Sequence, residues 1–83
     1  MTISPRILVV EDEVKLARFL ELELTSEGYQ ITVAHEGIEG LMIARENPFD
    51  LIILDWMIPG LSGIEICRRL RSTGNKVPII LLS

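Results

Sequence analysis

Two short apolar runs that end abruptly in carboxylates constrain this chain more than any other feature. Arg6-Ile-Leu-Val-Val10 runs into Glu11-Asp12-Glu13, and Leu51-Ile-Ile-Leu54 runs into Asp55. Neither run alternates apolar with polar side chains. Each therefore reads as a strand covered on both faces, as strands of a parallel sheet are. Val77-Pro-Ile-Ile-Leu-Leu82 is a third such run, with Pro78 tolerable near its start. Tyr29-Gln-Ile-Thr-Val33 does alternate, and fits an edge strand with one wet face.

The segments between these strands carry a helical period. Val14, Ala17, Leu20 and Leu24 form a stripe widened by Leu16 and Phe19, with Glu21, Glu23 and Glu27 facing away and Gly28 as the C-terminal cap. A second helix runs from about Gly37, with Ile38, Leu41 and Met42 on one side, and Asn47-Pro48 stops it. After the loop Trp56 to Leu61, Ser62 and Glu65 have the spacing of a capping box. The third helix then has Ile64, Cys67 and Leu70 as its core side. Arg68, Arg69 and Arg71 favour its C-terminal end, a solvated face that leaves room for a partner, and Gly74 breaks it.

Strand, helix, strand, helix, strand, helix, strand, with connections too long for hairpins, predicts an α/β fold: a parallel sheet between two helical layers. Right-handed crossovers and the wet second strand favour the order 2-1-3-4, which makes the first and third strands neighbours across a reversal of winding. Eighty-three residues with 48% apolar content make one small domain, and residues 1-83 are read as that single unit. No run approaches the roughly 18 apolar residues of a membrane span and no signal peptide opens the chain, so a cytoplasmic protein is expected. The lone Cys67 forms no internal disulfide and reads as a small core residue. A net charge of -4 argues against this chain gripping nucleic acid.

The order 2-1-3-4 sets Glu11 and Asp12 beside Asp55 at one rim. Like charges packed together call for a cation or a raised pKa. An oxygen-only set fits Mg²⁺ rather than zinc, since the only histidine, His35, ends the second strand and reads as an exposed loop residue. Such a cation keeps places for waters and a phosphate oxygen, which would allow Asp55 to attack phosphorus. For Asp12 alone, helix capping is an equal alternative; Glu13 reads as a first-turn helix residue.

On Ile7-Leu-Val-Val-Glu-Asp-Glu13, Leu51-Ile-Ile-Leu-Asp-Trp-Met-Ile-Pro-Gly60 with Ser62-Gly63, and Val77-Pro-Ile-Ile-Leu-Leu-Ser83, the chain resembles the receiver domain of bacterial two-component response regulators. The likeness is closest to receivers carried by winged-helix transcription regulators. It implies a flavodoxin-like receiver fold with four strands and three helices, and a signalling phosphoacceptor rather than an enzyme. By this resemblance Asp55 receives a phosphoryl group from a histidine kinase and Asp12 ligates Mg²⁺ directly. Glu11 acts through a water, the Met57 carbonyl completes the metal set, and Ser83 is the switch hydroxyl. Pro59 and Gly60 match the turn that holds the acceptor loop.

The resemblance covers about the first two-thirds of such a domain. The fourth helix, the fifth strand with its following lysine, the switch aromatic and the fifth helix find no match, so the chain is expected to be an incomplete, impaired phosphoacceptor. Lys76 falls at the opposite rim, and Lys15 matches no motif position. An aspartate-nucleophile phosphohydrolase would need a second acid where Met57 stands, and a glycine-rich phosphate cradle is absent after the first strand. A third reading is a self-associating structural fragment. The fourth strand and the first helix would be its surfaces, in a homodimer.

Overall fold

Seven elements alternate along the described residues: β1 (Arg6–Val10), α1 (Val14–Ser26), β2 (Gln30–Ala34), α2 (Gly37–Glu46), β3 (Leu51–Asp55), α3 (Gly63–Ser72) and β4 (Ile79–Leu82). The structure, a computed structural model, describes residues 3–82. The strands form one sheet in the order β2-β1-β3-β4 with every pairing parallel, which is the topology the sequence pattern predicts.

The core lies between this sheet and the layer of α2 and α3. Leu8, Val10, Ile52 and Leu54 from the strands pack there with Leu41, Ala44, Ile66 and Leu70 from the helices. Ile7 and Val9 alternate to the other face, where α1 packs over β1 and β2. Burial on both sides explains why β1 contains no polar residue after Arg6.

The helices meet the sheet on narrower faces than their apolar residues suggest. In α1 only Ala17 is buried, while Val14, Leu16 and Phe19 are exposed, because no second helix flanks α1 on its side of the sheet among the described residues. In α2 the buried side is Gly37, Gly40, Leu41 and Ala44. Ile38 and Met42, expected beside Leu41 in the core, are each 55% exposed. Small residues let α2 sit close to Val10, and that rotates the longer side chains outward. In α3, Ile66 rather than Ile64 joins Leu70 in the core and Cys67 is half-buried.

Local signals at the helix ends hold in part. Gly28 adopts the left-handed conformation (φ 96°) and donates its N–H to Thr25 after α1. Ser62 Oγ accepts the Glu65 N–H at 3.2 Å. The Glu65 carboxylate does not complete the box; it pairs instead with Arg68 at 3.0 Å and Arg69 at 3.2 Å.

Candidate functional site

Parallel register sets the site. Val10 pairs with Leu54, so the residues that follow, Glu11 and Asp55, emerge at the same height from adjacent strands. One carboxylate oxygen from each of Glu11, Asp12 and Asp55 lies within 4.8 Å of the others. The structure therefore brings together the three acids that the sequence places at this rim.

The three carboxylates differ in environment. Glu11 is 3% exposed, Asp55 is half-buried and Asp12 is exposed. Glu11 is fixed through its backbone by N–H donation to the Ala34 carbonyl at 2.9 Å. Its Oε2 accepts the Glu13 N–H at 2.9 Å. Burial pushes the Glu11 carboxyl above the usual carboxylate range; the Glu13 N–H opposes this, while the charge of Asp55 and contact with Asp12 add to it. Glu13 itself is the N-cap residue of α1, one position before the first turn, and its side chain makes no capping bond.

His35 takes a place that sequence reasoning did not assign. Its Nδ1 lies 3.0 Å from the Glu11 carbonyl oxygen, which can only accept, so Nδ1 carries the hydrogen. The β1–β2 register contains the signal, since Val10 pairs with Ala34 and the next residues of the two strands are Glu11 and His35.

The loop after β3 forms the open side of the site. Trp56 donates its N–H to Leu82 at 2.7 Å, extending the pairing with β4, and the Met57 N–H reaches Asp55 Oδ1 at 3.3 Å. Gly60 has φ 90°. Trp56 is 46% and Met57 77% exposed. Asp12, Trp56, Met57, Ile58, Pro59 and Ser62 line an open pocket of about 440 Å³. Ser83 lies outside the described residues. Lys76, as expected, is at the opposite rim, beside Asn47, Pro48 and Phe49. Ion pairs among the described residues join Arg18 to Glu21 and Arg68 and Arg69 to Glu65, and none reaches the acidic cluster.

The cluster offers oxygen donors only, one of them a buried carboxylate held in place by backbone bonds. This donor set fits a small hard cation and does not fit zinc.

Residues 7–83 match the response regulator receiver domain family, and the chain belongs to that family. It is 56% identical over 77 residues to the transcriptional regulatory protein YkoG of Bacillus subtilis, covering 93% of this chain and 34% of that protein. It is 53% identical over 77 residues to the response regulator ArlR of Staphylococcus haemolyticus, covering 93% of this chain and 35% of the relative. The chain thus spans about a third of the length of the curated relatives it matches. Among solved structures, the receiver domain of the Francisella response regulator 1452 superposes with a TM-score of 0.94 at 38% identity, over 96% of this chain and 66% of that one. The receiver domain of the sensor histidine kinase PA1611 from Pseudomonas aeruginosa, solved with a magnesium ion coordinated in its active site cleft, gives 0.91 at 34% identity, over 98% and 68%. No helix among the described residues is long and apolar enough to cross a membrane.

Proposed function

We propose that this receiver chain is a Mg²⁺-dependent phosphoacceptor in which Asp55 takes a phosphoryl group from a phosphohistidine of a histidine kinase. The observation that carries the reading is the convergence of Glu11, Asp12 and Asp55 within 4.8 Å at the ends of two adjacent parallel strands. The magnesium ion in the cleft of the PA1611 receiver supports it. Asp12 and Asp55 would hold the cation directly, Glu11 through a water, and the Met57 carbonyl would complete the set. When bound, the cation supplies neutralisation of the charge gathered by the phosphoryl oxygens.

A carboxylate oxygen of Asp55 attacks phosphorus, the phosphorus–nitrogen bond to the kinase histidine breaks, and the leaving nitrogen keeps the electron pair. The exposed rim of Asp12, Trp56 and Met57 leaves the approach open to a donor. Charge neutralisation is a large share of such catalysis, and among the described residues no lysine or arginine pairs with the cluster. Phosphorylation of the 83-residue chain is therefore slow, and Ser83 would lend its hydroxyl to the phosphoryl group. This function is that of a cytoplasmic signalling domain rather than an enzyme. Transcriptional output, in a protein of the relatives' length, would be carried outside this chain.

The test is a Mg²⁺ titration followed by Trp56 emission, paired with mass spectrometry after incubation with acetyl phosphate. The native chain responds to millimolar Mg²⁺ and Asp12→Asn does not; a label accumulates slowly on Asp55 and is absent from Asp55→Ala. No response up to tens of millimolar, where open hard-cation sites fill, rejects the metal assignment. Label that survives Asp55→Ala rejects the acceptor.

A further inference from the structure

The loop 56–62 is gripped by glycines on two different helices. On one side Gly37, the first residue of α2, donates its N–H to the Pro59 carbonyl at 3.4 Å. A methyl group on Gly37 would meet the Leu61 Cβ at 2.8 Å and carbonyl carbon at 2.9 Å, with the Leu61 carbonyl oxygen nearer still. On the other side Gly63, the first residue of α3, donates its N–H to the Trp56 carbonyl at 3.2 Å. A methyl group there would stand 2.7 Å from the Asp55 carbonyl oxygen and 3.1 Å from Leu81 Cδ2. Real Cβ atoms do not approach other heavy atoms below 3.0 Å. The nearest obstacles on both sides are backbone atoms, which cannot turn away as a side chain can, so the loop or the helix would have to move.

Gly40, one turn further along α2, is the natural contrast. A methyl group there would meet the two Cγ atoms of Val10 at 2.7 and 2.8 Å, crowding the core without touching the loop.

We propose that Gly37 and Gly63 are positioning residues of the acceptor site. By carrying no side chain they let α2 and α3 close on the loop from both ends, and this fixes where Asp55 and the Met57 backbone stand relative to Glu11 and Asp12. What the loop is positioned for rests on the phosphoacceptor reading; the grip itself rests on backbone contact alone.

The experiment compares native chain, Gly37→Ala and Gly40→Ala by amide hydrogen exchange, thermal unfolding and Mg²⁺ titration through Trp56. In the native chain the Gly37 and Gly63 amides, each bonded to a loop carbonyl, exchange with the same protection as one opening unit. In Gly37→Ala the Gly63 amide exchanges about tenfold faster than in Gly40→Ala of matched stability, and the Mg²⁺ affinity falls by about tenfold. Gly40→Ala lowers the unfolding temperature and leaves the affinity unchanged. Equal effects of the two variants on loop exchange, or none in a folded Gly37→Ala, overturn the proposal. Should Gly37→Ala not fold, native-chain exchange decides: protections of the Gly37 and Gly63 amides that differ more than about tenfold overturn it. A native chain that ignores Mg²⁺ would sink the phosphoacceptor reading while the exchange data still judge the grip.

Discussion

The Glu13 backbone N–H donates to Glu11 Oε2 at 2.9 Å, so the most buried acid of the site is held by the start of the helix that follows it. This bond partly offsets the cost of keeping a carboxylate inside the sheet rim, beside Asp55.

Glu11→Gln is expected to raise the stability of the metal-free chain at pH 7 and to shrink any stabilisation by added Mg²⁺. A glutamine keeps an acceptor for the Glu13 N–H and removes the charge. The pH dependence has a definite sign. Burial raises the Glu11 carboxyl in the folded state, so its contribution is fully present below the ordinary carboxylate pKa and is lost as pH rises through the raised folded value. Thermal unfolding in a chelator should show the advantage of Glu11→Gln growing from acid to neutral pH. An advantage that is flat with pH would contradict this.

Cys67 is expected to react slowly. Burial pushes its thiol above the ordinary cysteine value, with the nearby Arg71 charge opposing. Alkylation by iodoacetamide at pH 8 should be about tenfold slower in the folded chain than in urea, and should accelerate as pH climbs past the ordinary value. Equal rates in the two states would place the thiol outside the packed face of α3.

Ser62→Ala is expected to cost about 1 kcal/mol, because it leaves the Glu65 N–H at the start of α3 without its side-chain acceptor. Chemical denaturation reads this directly. Since Glu65 pairs with Arg68 and Arg69 rather than turning back to Ser62, Glu65→Ala should cost less, a few tenths of a kcal/mol for exposed pairs. The reverse ranking would mean that the ion pairs, not the cap, start the helix.

Self-association of the 83-residue chain is expected through β4 and the apolar side of α1. Among the described strands β4 pairs only with β3, and Ile80 is 48% exposed; on α1, Phe19 is 57% exposed. A two-fold dimer covering these elements removes apolar surface from water. Sedimentation across micromolar concentrations should show dimer in the native chain and monomer in Ile80→Lys. A native chain that stays monomeric throughout that range would refute it.

Much of the molecule is legible locally. Uninterrupted apolar runs of about four or five residues read as strands of a parallel sheet, a change from period two to period 3.6 reads as a helix, and carboxylates at the ends of two such runs mark one rim of the sheet; the run of β4 reads the same way, yet Ile80 in it is 48% exposed. Those are short-range properties, which is why the order β2-β1-β3-β4 and the meeting of Glu11, Asp12 and Asp55 follow from the sequence. Tertiary structure decided the faces and the close contacts. Apolar character alone does not say which side of a helix is buried. Gly40 and Ala44 bring α2 against the sheet and turn Ile38 and Met42 outward, and α1, with no flanking helix among the described residues, buries only Ala17. The His35 bond to the Glu11 carbonyl and the approach of Gly37 to Leu61 join residues 24 positions apart in each case, and such distances exist only once the sheet has brought its strands into register.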